Sequence, residues 1–347
     1  MKRRTLLLVA AWLCSACGTP QEDLRRRLLR SWTELTILPL YADVETSAQE
    51  LEAENAELCA EPTADNLNAA RDAWWAARAP LKQAEHFGFG PYTEEPLRYG
   101  PELDFWPVRP DSIESVLADD AEIDAERMGA AQKGSPAIEY LLYTVDETAF
   151  TSDGRRCAYL AAISADLPLQ ARLLREAWEP TGGNFAAELI DAGQGSTRFE
   201  TLDLALSEMV NRLGFIVENI RTDKLVTAGN EDKAESQFSA RSLQDVRDNL
   251  RGVERSFFGT EGGKQEVTLE EYLRSRGHDL GPLLRSRLGA CYAAIDAVPL
   301  PLTEAASEDP ASLEALQEEL VQLQRAIQAD VLGALSLTVS FNDNDGD

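Results

Sequence analysis

Apolar residues recur at three- and four-residue steps through almost the whole chain from Gln21 onward, the period of amphipathic helices, and strand-like alternation is nearly confined to the last dozen residues. Leu24, Leu28, Trp32, Leu35 and Leu38, followed by Val44, Ala48, Leu51 and Leu58, predict one long helix bent near Pro39 and ended by Pro62. Asp65 is placed to cap a second helix that turns Leu67, Ala70, Ala73, Trp74 and Ala77 inward, is interrupted at Pro80 and resumes through Leu81, Ala84 and Phe87. The chain from Gly88 to Pro110 is rich in Gly, Pro and aromatics and reads as a long irregular connection with Trp106-Pro107 inside it. Residues Lys133 to Tyr143 read KGSPAIEYLLY. Ser135 is expected to cap a helix there, Pro136 suits its first position, and Ile138, Leu141, Leu142 and Val145 share a face. A helix from Arg155 to Trp178, kinked at Pro168, follows.

Two glycine-rich stretches, Thr181-Gly182-Gly183-Asn184 and Gly193-Gln194-Gly195-Ser196, mark a junction. Beyond it helices are predicted at Phe199 to Leu225, Leu243 to Phe258, near Leu269 to Leu273, Leu280 to Val298 and Leu313 to Leu335. The expected fold is all-α: two packed helical bundles, over 21–180 and 197–347, with a linker at 181–196. A length of 347 residues and a hydrophobic content of 44% are ample for a buried core.

A formal net charge of −27 argues against a nucleic-acid partner, because Lys and Arg are not concentrated anywhere after residue 30. Residues 1–17 change the picture of location. Met1-Lys2-Arg3-Arg4 is a positive start, Thr5 to Leu13 a short apolar run, and Cys14-Ser15-Ala16-Cys17 a small-residue end, together an export signal too short to cross a bilayer. A cysteine after Ser-Ala resembles a bacterial lipobox, although Cys14 stands where Leu is usual. Lipid on Cys17 would anchor the chain to a membrane, facing the periplasm or on the outer-membrane surface, and an ordinary secretion signal is the alternative. Three cysteines then remain, Cys59, Cys157 and Cys291, so one internal disulfide is possible. Cys59 with Cys157 is the expected pair, both being in the first half; three buried thiols are the other reading.

Little in the chain suits ordinary catalytic motifs. No H-E-x-x-H, G-x-S-x-G, Walker or dinucleotide pattern occurs, and the only histidines are His86 and His278, the latter in a turn or capping neighbourhood. Two stretches carry more. In the run ARDAWWAARAPLKQAEHFGFGP, residues 70–91, Arg71, Trp75, Arg78, Lys82 and Glu85 share a broad helix face, and His86 points about 100° away from it. In KGSPAIEYLLY, Glu139 lies one turn into an apolar helix, where the positive N-terminal end favours a carboxylate.

Together these stretches resemble the imelysin family, iron-regulated and peptidase-classified helical proteins of bacterial envelopes. GSPAIEYLLY is similar to the family's G-x-H-x-x-E-Y/F-L-L segment, with Pro136 in the place of its histidine. The 70–91 run resembles a Trp- and Arg-bearing helix ending in Glu-x-Phe and Phe-Gly-Pro, and Trp106-Pro107 a passage that follows it. Ser236-Gln237-Phe238-Ser239 with the Asp-bearing helix to Phe258-Gly259, and the closing LGALSLTVSFNDNDGD, continue the resemblance to the last residue. VRDNLRGVERSFFG at 246–259 faintly echoes the 70–91 run, in keeping with the pseudo-duplicated halves of imelysins. Asp343 to Asp347 has the start of a calcium loop without its distal Glu, and a frayed polar tail is the plainer reading.

The resemblance implies a ligand- or metal-binding site at Glu139, Glu85, Arg78, Ser135 and Trp106, with a divalent metal or iron as the cofactor class. A helical His and Glu three apart can reach one ion; proline offers no donor, so Glu139 would need help from elsewhere, such as Glu85 opposing it across a packed interface. Two functions are expected in competition. One is a noncatalytic or site-altered envelope lipoprotein that binds a cation, an iron-related ligand or a protein partner between the bundles. The other is a metallopeptidase, as the family's classification implies; a purely structural role is the third.

Overall fold

The first long helix is interrupted by widening rather than by breaking. Helix α1 (Pro20–Trp32) passes through a π turn at Thr33–Ile37 into α2 (Leu38–Ala60). Pro39 has no N–H to donate and its ring crowds the carbonyl four residues back, and the wider turn just before it accommodates both. The computed structural model describes residues 20–151, 154–230, 233–260 and 267–340; the expected signal segment with Cys14 and Cys17, and Asp343 to Asp347, lie outside them.

Helix α3 (Ala64–Ala84) is capped by Thr63, whose hydroxyl accepts from the Asn66 N–H at 3.2 Å, so Asp65 sits in the first turn and is not the cap. Pro80 lies inside α3 without ending it. The connection after it is more ordered than its composition suggests, with short 3-10 turns, α4 (Tyr99–Asp104) and α5 (Pro110–Ala118). Then come α6 (Gly134–Tyr143), α7 (Thr148–Thr151) and α8 (Gly154–Trp178), which Pro168 does not end. Between the glycine-rich turns stands α9 (Ala186–Ile190).

In the second half, α10 (Leu202–Asn219) is capped by Thr201 and ends in a π turn at Ile220–Lys224. Helices α11 (Ser242–Phe258), α12 (Leu269–Ser275) and α13 (Gly281–Ala297) fall where the apolar period puts them. A short α14 (Leu302–Glu308), not read from the sequence, precedes α15 (Pro310–Arg325), a π turn at Ala326–Val331 and α16 (Leu332–Leu335). No strand occurs among the described residues, and the fold is all-α. The alternating stretch after α16 docks on α10 through side chains: Asn211 donates to the Thr338 carbonyl at 3.0 Å and accepts from the Ser340 N–H at 2.9 Å.

Helix α2 packs between α3 and α8, and α11 packs against α3, so the 70–91 run and its echo meet directly. At that crossing a Cβ on Gly252 would lie 2.3 Å from the Gln83 carbonyl, which explains the glycine. Helix α1 crosses to the second half, where Trp32 donates to the Ser256 carbonyl at 2.6 Å and Ser31 accepts from the Val267 N–H at 3.1 Å. One apolar cluster runs through both halves, from Leu28 to Leu335.

A disulfide joins Cys59, at the end of α2, to Cys157, early in α8, with Cα atoms 5.5 Å apart, and Cys291 is a buried thiol. The bond closes a sequence separation of 98 residues, so replacing both partners by Ser is expected to cost about 2–5 kcal/mol, read as a lower urea midpoint. Equal midpoints for the two proteins would show that the cross-link contributes nothing.

Candidate functional site

Arg78, Lys82 and Glu85 project from one face of α3 because steps of three and four return to the same side of a helix. That face meets α11, the loop leading into it, the end of α4 and the π turn after α10. The Arg78 guanidinium contacts Asp104 on α4, Glu235 in the loop at 3.0 Å and Asp245 on α11 at 2.9 Å. Lys82 Nζ touches Glu235 and lies 2.5 Å from Asp104 and 3.0 Å from Glu85. Lys224, delivered by the π turn, lies 2.9 Å from Glu85 and 2.8 Å from Glu235. Arg241 pairs with Asp245 and, at 2.8 Å, with Asp248, and its Nε donates to the Trp75 carbonyl at 3.1 Å. Asn249 completes the set by donating to Glu85 at 2.8 Å.

Nearly all of these charges are out of water: Arg78, Lys82, Lys224 and Arg241 are at most 2% exposed, while Glu85 keeps 18%. Burial alone would raise the Glu85 pKa, but Lys224 and Lys82 outweigh it and hold the group down at about 2. Glu235 is likewise held well below the carboxylate range against its own desolvation, chiefly by Lys224 and Lys82. Lys82 is raised despite burial and the nearby Arg78, because Asp104, Glu235 and Glu85 surround it.

Glu139 behaves differently. It is 2% exposed and accepts from the Ser239 N–H at 2.8 Å and hydroxyl at 2.7 Å, yet desolvation dominates and pushes it up to about 7. The loop that brings Ser239 there is bent at Ser236 and Ala240, non-glycine residues with φ of 48° and 58°, each costing on the order of 1 kcal/mol. Ser236 is tied to Asp245, and Ser242 to the Glu235 carbonyl, which holds the bend.

The expected site residues are thus partly assembled. Arg78 and Glu85 belong to the network. Glu139 lies at its Arg78 end, and Glu85 is two turns further along α3, engaged with lysines rather than with Glu139. Ser135 is buried and does not cap α6; its carbonyl accepts from Trp74 Nε1 at 2.8 Å and its hydroxyl lies 3.5 Å from Arg78. Gly134 starts α6 at φ +74°, where a Cβ would stand 2.7 Å from the Leu103 carbonyl, so glycine is required. Trp106 is half-buried beside its cis peptide to Pro107 and has no polar contact or ring stacking with the network. His86 is buried on Ser256 at 2.7 Å and held down at about 3 by desolvation, so it is a neutral core group; His278 lies in the exposed turn after α12.

Asp104, Glu235, Lys224, Arg241 and Asp248 were not foreseen. Glu235 directly precedes the Ser-x-Phe-Ser segment and Asp104 shortly precedes Trp106-Pro107, so the recognisable motifs flank them without containing them.

Glu85, Asp104 and Glu235 present oxygens within 4.8 Å of one another, a spacing that could hold a metal ion. Lys82 contacts all three, however, and Pro136 has no donor atom. These residues do not fit a resident metal: an ion would have to displace an ammonium that already neutralises its ligands. The network meets solvent at Glu85, which lines a cavity of about 380 Å³ with His86, Tyr92, Arg212, Phe215 and Asn219.

The family model described as Imelysin (Peptidase_M75) matches residues 37–328. The chain is 28% identical over 298 residues to Iron-regulated protein A of Synechococcus elongatus, covering 84% of this chain and 81% of that protein. Its fold is similar to crystal structures of an iron-regulated protein A precursor from Parabacteroides distasonis and of an imelysin-like protein from Psychrobacter arcticum. The first has a TM-score of 0.76 at 20% identity, over 93% of this chain and 97% of that one. The second has a TM-score of 0.73 at 19% identity, over 92% and 98%.

Two predictions follow from the electrostatics. Arg78→Met leaves Asp104, Glu235 and Asp245 short of counter-charge in a dry setting and is expected to cost about 3–5 kcal/mol in chemical denaturation. A loss within experimental error would mean that water reaches those carboxylates. For Glu139, the folded carboxyl holds its proton up to about pH 7 while the unfolded one releases it near its ordinary value. The stabilisation is therefore complete below that lower value and disappears as pH rises through 7. Glu139→Gln keeps the acceptor for Ser239 and should match the native chain at pH 4.5. At pH 8 it should be more stable by on the order of 3 kcal/mol. An advantage independent of pH would refute the raised carboxyl.

Proposed function

The chain belongs to the imelysin family, and from that premise we propose that it is a noncatalytic binding protein of the cell envelope, anchored through lipid on Cys17. Its ligand, a cation or a small iron-related species, is taken where the buried network opens at Glu85. The observation that carries this reading is the contact of Lys82 with all three clustered carboxylates, together with Pro136 where the family segment has histidine. A peptidase built on that segment would lose its imidazole donor and meet an ammonium in place of a metal. The 380 Å³ cavity at Glu85, with Arg212, Asn219 and the rings of Tyr92 and Phe215, has the size and mixed lining of a small-ligand site. The Cys59–Cys157 bond supports an oxidising compartment, consistent with export.

Elemental analysis, calorimetry with iron, zinc and calcium, and peptide-hydrolysis assays test the choice between binding and proteolysis. The native chain is expected to carry no stoichiometric resident metal and to cleave nothing. Pro136→His should acquire a metal in a Glu139-dependent way, and Lys82→Met should gain more in melting temperature from added divalent cation than the native chain does. One tightly held metal per native chain, removed by Glu139→Ala and needed for peptide hydrolysis, would establish the metallopeptidase instead. Mass spectrometry of protein taken from its own membranes should find acylated Cys17 as the first residue, and an unmodified terminus there would remove the anchor.

A further inference from the structure

A cavity of about 810 Å³ at the C-terminal end of α11 is lined by Gln83, Arg251, Glu254, Arg255, Phe258 and Arg285. Three guanidinium groups around one opening are unexpected in a chain with 60 acidic and 33 basic residues. Their existing partners leave much of that charge unspent. Arg255 is 18% exposed, gives its Nε to Thr260 at 3.1 Å, and has as its carboxylate partner among the described residues only the exposed Asp43, 3.9 Å away. Burial lowers its pKa from the ordinary arginine value and Asp43 offsets this incompletely, the sign of a cation short of counter-charge. Arg251 is half-exposed, with one contact to Asp248 at 3.0 Å. Arg285 reaches Glu270 at 3.1 Å and lies 3.7 Å from the centre of the Phe258 ring, which fixes the guanidinium plane at the rim. Glu254, the one carboxylate among the described residues of the lining, accepts from the Tyr292 hydroxyl at 2.9 Å.

We propose that this cavity binds a small multivalent oxyanion, of phosphate or polycarboxylate type, with Arg255 at its floor and Arg251 and Arg285 at its rim. Each guanidinium presents its donors in a planar fork that matches two oxygens of such a group, and a volume of this size admits one without rearrangement. The surrounding negative field of the chain repels anions at long range, so the site would select by close contact and not by steering. The oxyanion can be free in solution or carried on a lipid headgroup, and both sources offer the same oxygens to the same arginines.

Calorimetry of the mature protein with inorganic phosphate and with citrate, and sedimentation with phosphatidylcholine vesicles with or without phosphatidylglycerol, test the site. Saturable binding of phosphate or citrate is expected, weakened about ten- to hundredfold by Arg255→Gln and by Arg285→Gln. Arg285 is mostly exposed, so its variant remains informative if Arg255→Gln fails to fold. Binding confined to phosphatidylglycerol vesicles and lost in the same variants would place the oxyanion on a lipid. No binding in any arm, or binding that neither substitution weakens, overturns the proposal and leaves the arginines as counter-charges to the C-terminal end of α11.

Discussion

The structure depends on the mutual neutralisation of charges at the crossing of α3 and α11. Removing a carboxylate or an ammonium from water costs several kcal/mol even after relaxation, and only close, well-placed opposite charges offset it. Here Arg78 on α3 pairs directly with Asp245 on α11, and Arg241, just ahead of α11, bridges Asp245 and Asp248 one turn apart on it. Glu235 and Asp104 each bridge Arg78 to Lys82, one turn along α3, and Lys224 closes the open end. Five segments must therefore be in register at once. Apolar burial along the common core supplies the drive to fold, and the network restricts which arrangement of the halves satisfies its charges.

The backbone departs from regular helix where the network needs it. A straight continuation of α10 would place Lys224 elsewhere; the π turn at Ile220–Lys224 inserts a residue and rotates it inward. Ser236 and Ala240 accept left-handed conformations so that Glu235, Ser236 and Ser239 all face the crossing. Gly134 and Gly252 mark places where main chains approach too closely for a side chain, and each brings a charged segment, α4 or α11, onto the site. Such local costs persist only where surrounding contacts over-determine them, and the fixed charges around these turns do so.

The sequence revealed the helices and half of the site for one reason, periodicity. Arg78, Lys82 and Glu85 were visible as a group because they share a helix face, and Glu139 because it interrupts an apolar one. Asp104, Glu235 and Lys224 sit at a helix end, in a loop and in a π turn, where no period relates a residue to its neighbours and a lone charge looks like any solvated one. Ser135 was misread for a related reason: Ser-Pro before an apolar run fits a cap equally well, and only the approach of α3 shows that the residue is occupied by Trp74 and Arg78. Asp65 lost its expected role to Thr63 two residues earlier, within the uncertainty with which a helix start can be read from polar residues alone.

Pro136 shows why this member of the family keeps the fold while lacking the histidine. It lies in the first turn of α6, where a backbone N–H has no intrahelical acceptor, so the missing donor costs nothing and the fixed φ suits the helix. Where a metal is part of a fold, losing a ligand would also lose folding energy. In this chain the carboxylates nearest the site are neutralised by tethered cations, so no ion is needed to hold them together. The architecture is thereby uncoupled from metal occupancy, and position 136 can change without disturbing the network beside it. Glu139 is left as the one buried carboxyl of the site without a cation in direct contact, and Ser239 alone positions it.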